Sequence, residues 1–415
     1  MSQEIVIVSG VRTPVGRYMG ALKTVEAYDL AALVLNEAVK KAGITPDQVD
    51  EVIMGQSYQN GEYVNIARMA LLNAGWPEEI PGLTIDRRCC TGLETIRLAS
   101  ALIQSGQAEV VVAGGVESMS NAEFYFPGSL KWGVGGQKGM PRGHGDLSIW
   151  GMPMFDRIQR ARVMSQPEKR YGILPSMMSW AETGAKEEGV TREECDQWAL
   201  ASHQKACAAQ DAGLFDGEMV PVAIPQRKGD PIIVDRDENP RPDTTLEKLS
   251  SLKPVLGGVC TAGNSSTEND GAAAVVVMSA DKAKELGLEI LAYVKSVAVA
   301  GADPTRTYLT VGAAARKALA KAGVVMEDME LIEIQEAFAA QVLADLKDMG
   351  IGENDYGKIN VNGSGISLGH PIACTGVRVL VSLVYEMRRR NAKMALECIC
   401  GGGGLGIAAV LERKS

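Results

Sequence analysis

Three stretches of this chain occur twice, in the same order and at nearly the same separation. "KAGITPDQVDEVIM" (41–54) returns as "KAGVVMEDMELIEI" (321–334), "CTGLETIRLAS" (90–100) as "CTGVRVLVSLV" (374–384), and "EVVVAGG" (109–115) as "ECICGGG" (397–403). Ordered self-similarity of this kind marks a structural unit that has been duplicated. In both copies the first stretch reads as the end of a helix closed by glycine, a short polar link and an apolar strand. The chain is therefore expected to hold two homologous α/β halves, beginning near residues 4 and 280. Alternation of short buried strands with amphipathic helices predicts a largely parallel sheet covered by helices on both faces.

The first copy is interrupted. Residues 119–250 have no counterpart, and they combine the glycine-rich "GSLKWGVGGQKGMPRGHGD" with the helical "TREECDQWALASHQKACAAQDAG". The expected division is a first half at 1–118 and 251–279, an inserted loop domain at 119–250, and a second half at 280–415. Insertions of this kind often cover a site and supply substrate contacts.

Charge narrows the function. A formal net charge of −9 leaves no global basic field to attract nucleic acid. No apolar run reaches the length of about 18 residues that a membrane span needs. "IVIVS" (5–9) is too short for a secretory leader and lacks a basic flank. The eight cysteines show no paired C-x-x-C spacing, and in a non-secreted chain they are expected to be reduced. A cytoplasmic protein without nucleic-acid, membrane or metal partners is the expectation.

Comparing the copies isolates single differences. Cys90 aligns with Cys374, whereas Cys89 aligns with Ala373 and Cys400 with Val112. Cys89 follows Arg87 and Arg88 and precedes a helix whose N-terminal amides and dipole favour an anion. Such a setting lowers a thiol from about 8.5 to between roughly 3.5 and 7.5. Cysteine is also among the most buried residue types, so the neighbouring pair has a packing reading beside the nucleophilic one. "NVNGSGISLGHPIACTG" (360–376) carries His370, one of three histidines, among glycines that let a backbone approach a ligand. That histidine reads as structural or functional. His144 and His203 lie in the insertion, and His203 reads as an ordinary helix residue.

"ALECICGGGGLGIAAVL" (395–411) is a strand, a glycine cluster and a strand. The cluster either presents N–H groups to an oxyanion or permits a tight hairpin. Cys400 sits where the strand stops, a common place for functional groups in α/β sheets, and Cys398 shares its parity. No G-x-G-x-x-G follows the first strand and no G-K-S/T is present, which excludes the Rossmann and P-loop readings. A zinc site built from Cys89, Cys90, Cys398 and Cys400 has the wrong spacing.

Taken in order, Arg12-Thr13-Pro14, "CCTGL", "AGGVESMS", "SHQKA", "TAGNSSTENDGAA", "QEAFAAQ", "NGSGISLGHPI" and "CGGGGLG" resemble the motif series of thiolases, almost end to end. The resemblance implies an α/β thiolase fold: duplicated βαβαβαββ halves in five αβαβα layers, with the loop domain inserted in the first. It implies coenzyme A thioesters as substrates, coenzyme A as a substrate and no permanently bound cofactor, a homodimer or homotetramer, and a place in fatty acid metabolism. By position, Cys89 resembles the nucleophile, Cys400 the acid/base cysteine, and His370 the residue that activates Cys89. Gly402 and the Cys89 amide resemble an oxyanion hole, and Arg241 and Ser266 fall where the family contacts coenzyme A. Gln335 stands in place of the asparagine that positions an oxyanion-hole water. "SMMSWAETG" (176–184) replaces the usual "HMGITAE" over the acyl pocket, and Asp86 replaces a common asparagine. The change over the pocket suggests an acyl chain other than acetoacetyl. The alternatives are a ketoacyl-synthase-like condensing enzyme, which typically pairs two histidines with one cysteine, and a non-catalytic acyl-CoA-binding or complex-forming protein.

Overall fold

The computed structural model describes residues 3–128 and 153–414. His144 and most of the glycine-rich stretch at 128–146 lie outside the described residues. The first copy supplies strands β1 (Ile5–Arg12), β2 (Glu51–Gly55), β3 (Gly82–Ile85), β4 (Val110–Ser118) and β5 (Asn269–Ser279). The second supplies β6 (Ala292–Gly301), β7 (Leu331–Ile334), β8 (Met394–Gly401) and β9 (Leu405–Glu412). They form one sheet in the order β3-β2-β4-β5-β1-β6-β9-β8-β7, with the short strand Gly16–Arg17 beside β5.

That order carries the duplication. The two first strands, β1 and β6, meet antiparallel at the centre through Val6 opposite Tyr293 and Ile7 opposite Ala292. Outward from each come two antiparallel pairings, β1–β5–β4 and β6–β9–β8. Each half then ends in parallel pairing, of β2 with β4 and of β7 with β8. The first half adds β3, also parallel; its counterpart is a single parallel bridge between Ile332 and Ile359. The expected largely parallel sheet is thus corrected to a mixed one, parallel only towards its ends. The reason is local. Residues 402–404 join β8 to β9 directly, and a link that short makes antiparallel neighbours, whereas parallel strands need a crossover.

Helices α1 (Ala27–Ala42), α2 (Ile66–Asn73), α3 (Thr91–Gln104), α4 (Met178–Glu188), α5 (Arg192–Asp211), α6 (Leu309–Ala322), α7 (Ala339–Asp348) and α8 (Ile372–Arg390) complete the frame. Successive residues of a strand face opposite sides, and the layers follow from this. Val6, Val8, Val110 and Val112 pack with α1 and α2 on one side. Ile5, Ile7, Val111 and Ala113 pack on the other with α3 and α8, together with Ile399, Ile407 and Ala409 of the second half. Leu396, Cys398, Ala408 and Val410 turn away from these to α6 and α7. The result is five layers, with α3 and α8 in the middle.

The two central helices touch backbone to backbone. A Cβ placed on Gly92 would lie 2.7 Å from the Val377 nitrogen and 2.8 Å from the Ala373 oxygen, and one on Gly376 would strike the Leu93 nitrogen. The repeated Cys-Thr-Gly is therefore the two sides of one crossing, which brings the N-terminal turns of α3 and α8 together.

The insertion leaves β4 and returns at β5. Its described residues include α4, α5 and a hairpin of Val222–Ile224 with Ile232–Val234. Thr191 and Glu194 form a capping box that starts α5. Arg12, fully buried at the end of β1, ties the insertion to the sheet. It donates to Glu218 at 2.6 Å and to both oxygens of Asp237 at 2.8 and 3.0 Å. Removing one partner of such a buried set leaves uncompensated charge.

Candidate active site

A cavity of about 510 Å³ opens where the N-terminal turns of α3 and α8 meet the β8–β9 link and the insertion. Cys89, His370, Cys400, Gly402, Arg241 and Ser266 all line it. Gln335 does not line it. It is fully buried, its Nε2 crowds Gly365, and neither polar atom of its amide has a partner among the described residues.

Cys89 sits on a turn held by side chains. Arg88 adopts φ 55, uncommon for a residue with a Cβ. Its N–H donates to Asp86 at 2.7 Å, the Arg87 N–H donates to the Thr91 hydroxyl at 2.6 Å, and the Ser57 hydroxyl donates to the Arg88 carbonyl at 3.3 Å. Of the two adjacent cysteines, Cys90 is the packed one, fully buried with its thiol 3.6 Å from the Ile399 carbonyl. Cys89 is only partly buried and faces the cavity. On β8, Cys398 is sealed in the core under α6 and α7, and Cys400 reaches the cavity.

His370 is oriented from two sides. Its backbone N–H donates to Asn269 Oδ1 at 2.9 Å, and its Nδ1 lies 2.7 Å from Thr375 Oγ1. The Thr375 hydroxyl donates its single hydrogen to the Pro371 carbonyl at 2.9 Å, so towards the ring it must accept. This places the imidazole proton on Nδ1 and a lone pair on Nε2, which is buried and unpartnered among the described residues. Burial, and after it the charge of Arg378, pushes His370 down to about 3, so the ring is neutral at physiological pH.

Cys89 corrects an expectation. Its thiol is not lowered by the helix; desolvation pushes it up to about 11, against the opposing pull of the Gly402 N–H and Arg88. The nearby amides are committed elsewhere, since Cys90 N–H donates to the Arg87 carbonyl and Thr91 N–H to the Arg88 carbonyl, at 3.2 and 2.9 Å. Burial raises Cys400 as well. The resting site thus holds two neutral thiols beside a neutral imidazole. Alkylation of Cys89 by iodoacetamide, followed on its tryptic peptide, is expected to accelerate steadily from pH 7 to pH 9, because thiolate grows about tenfold per unit below its pKa. A plateau already reached below pH 7 would show a preformed thiolate–imidazolium pair instead.

Two carboxylates fix the surroundings. Glu336 accepts from Trp198 Nε1 (2.9 Å), Ser202 Oγ (2.7 Å), Asn360 Nδ2 (3.0 Å) and Ile366 N (3.1 Å), which pins α5 to the loop that carries His370. Glu117 accepts from the backbone of Ser57, Tyr58 and Ala373, joining the loop after β2 to the start of α8. His203 is more than a helix residue: its Nδ1 accepts from the Arg241 N–H at 3.2 Å, with burial pushing it down to about 4. Sequence reasoning passed over Thr375, Asn269 and Tyr58. "GHPIACT" places Thr375 five residues after His370, which itself precedes α8, so no helical period in the sequence marks the pair.

The family description "Thiolase, N-terminal domain" matches residues 5–281, and "Thiolase, C-terminal domain" matches 288–413. The chain belongs to the thiolase family. It is 46% identical to an acetyl-CoA acetyltransferase of Cupriavidus necator, over 99% of this chain and all of that one. It is 40% identical to a probable acetyl-CoA acyltransferase of Staphylococcus aureus, over 99% of both. This thiolase also superimposes on the Bacillus anthracis acetyl-CoA acetyltransferase with a TM-score of 0.90 at 41% identity, covering 99% of both chains. With human mitochondrial 3-ketoacyl-CoA thiolase the TM-score is 0.88 at 36% identity, again covering 99% of both. Among the described residues of the thiolase, no group of acidic, His and Cys side chains is arranged to hold a metal, and no helix is long and apolar enough to cross a membrane.

Proposed function

We propose that the chain is an acyltransferase that cleaves 3-ketoacyl-CoA with coenzyme A, or runs the reverse Claisen condensation. The observation that carries this reading is the free lone pair of His370 Nε2 in the same cavity as the Cys89 and Cys400 thiols. As substrate binds, Nε2 takes the Cys89 proton and the sulfur attacks the keto carbon. The bond between the α-carbon and the keto carbon breaks, and the departing carbanion takes the Cys400 proton. The N–H groups of Cys89 and Gly402, which both face the Cys89 sulfur, receive the thioester oxygen. Coenzyme A then gives its thiol proton to Cys400 and takes the acyl group, and Cys89 recovers its proton from His370. Arg241 and Ser266, which line the same cavity, serve the coenzyme A side. Gln335, buried against Gly365, supports the loop that leads to His370 rather than touching substrate.

The same reading assigns 1–118 with 251–279 and 280–415 as the catalytic halves and 119–250 as the loop domain over the site. It also assigns a homodimer or homotetramer, since β3 is an open sheet edge with Leu83 exposed. The proposal extends to a role in fatty acid metabolism, with a cytoplasmic location. The test is turnover of a 3-ketoacyl-CoA. Its loss is expected to depend on added coenzyme A and to yield two acyl-CoA products, with Cys89→Ser inactive. Hydrolysis without coenzyme A, or no turnover of any chain length, would contradict the reading.

A further inference from the structure

Most of the cavity wall is apolar: Met119, Met177, Met178, Trp180, Phe338 and Ile372 line it. Against that wall stands Arg88, the residue directly before Cys89, half-buried and lining the same space. Its neighbouring acid, Asp86, is engaged by the Arg88 backbone N–H. Among the described residues no carboxylate forms an ion pair with its guanidinium. Of the other arginines lining the cavity, Arg162 is paired with Glu268, and Arg17 and Arg241 are exposed. Tyr58 lies within electrostatic reach of Arg88, Arg162 and Cys89 together.

Arg241, Ser265, Asn239 and Thr267 also line a second hollow of about 170 Å³, which Arg88 does not touch. Coenzyme A carries its phosphates far from its sulfur, at the end of the pantetheine arm. A guanidinium one residue from the nucleophile, with its charge felt at the Cys89 sulfur, therefore meets the acyl group and not the nucleotide. Leaving an arginine half-desolvated in an apolar pocket is costly unless an anion joins it. Arginine is also the side chain best shaped to hold a carboxylate through two parallel hydrogen bonds.

We propose that the acyl group this enzyme transfers ends in a carboxylate, and that Arg88 binds it. The inference rests on the thiolase reading and narrows its substrate class to 3-ketoacyl-CoA thioesters of dicarboxylic acids. For the six-carbon member, Cys89 attacks C3, the C2–C3 bond breaks, C2 takes the Cys400 proton and acetyl-CoA leaves. Succinyl remains on Cys89 until coenzyme A removes it as succinyl-CoA. The bound carboxylate lies a few bonds beyond the thioester carbonyl, within reach of the neighbouring side chain.

The test compares thiolysis of 3-oxoadipyl-CoA with that of 3-oxohexanoyl-CoA, which matches it in chain length but ends in a methyl group. Wild-type kcat/KM is expected to favour the carboxylate by about 100-fold, less than the 10⁴–10⁵ of a fully buried polar site because Arg88 is only half-buried. In Arg88→Gln that ratio is expected to collapse to near unity, and in Arg88→Lys to be partly restored. A wild-type ratio near or below one overturns the inference, and needs no variant to fold. An unchanged ratio in Arg88→Gln, with KM for coenzyme A raised alike for both chains, also overturns it and assigns Arg88 to the phosphates. In both of those outcomes thiolysis itself persists and the family activity stands. Absence of turnover with both chains overturns the inference, and the thiolase reading falls with it only if acetoacetyl-CoA and longer chains are not cleaved either.

Discussion

Cys400→Ala is expected to accept an acyl group from acyl-CoA on Cys89 and yet to lose carbon–carbon bond formation by about 10³-fold, within the usual range for removal of a general acid or base. The two half-reactions make different demands. Transfer between sulfurs needs a nucleophile, a proton acceptor and donors at the thioester oxygen, roles the proposed mechanism gives to Cys89, His370 and the Gly402 N–H. Forming the new bond needs, in addition, a proton removed from the α-carbon of the second acyl-CoA. Cys400, held neutral by burial, is the remaining cavity group poised to exchange that proton. Stopped-flow acylation measured beside a condensation assay separates the two. Condensation retained in Cys400→Ala would remove Cys400 from its role.

Gly92→Ala is expected to lose about 3 kcal/mol of stability or more, at the upper end for overpacking, because the added methyl meets three main-chain atoms of α8. A flexible side chain could move aside; the Val377 nitrogen and the Ala373 oxygen belong to the first turns of α8 and cannot do so without moving His370. Activity is therefore expected to fall with stability. Gly61→Ala is the control, since an added methyl there meets nothing within 4 Å. Urea denaturation followed by circular dichroism gives the comparison. Equal midpoints for the two variants would mean that the close crossing does not hold the site together.

The duplication was legible because a crossing that admits only glycine leaves the same Cys-Thr-Gly in both copies. Pairing direction was less legible. Alternating strands and helices look alike whether the closing pair is a crossover or a hairpin, and only the three-residue link after Gly401 shows which it is. The positions of Cys89, His370 and Cys400 at one cavity could be anticipated from where each lies relative to a helix start or a strand end. The acidity of Cys89 could not. A sequence shows the helix that follows a thiol but not the protein that strips water from it, and desolvation outweighs the amides here. Gln335 illustrates the same limit, since its place in the motif says nothing of the packing against Gly365 that keeps it out of the cavity. Arg88 was visible from the start as a charge beside a cysteine. Its meaning depends on which wall it joins.

The most direct test of the account is the mass of the protein after brief exposure to acyl-CoA, with the adduct located by peptide mapping. One acyl group per chain on the peptide containing Cys89 is the expected result, absent in Cys89→Ala and slowed in His370→Ala. No adduct, or one confined to Cys400 or Cys90 while Cys89 stays free, would contradict it.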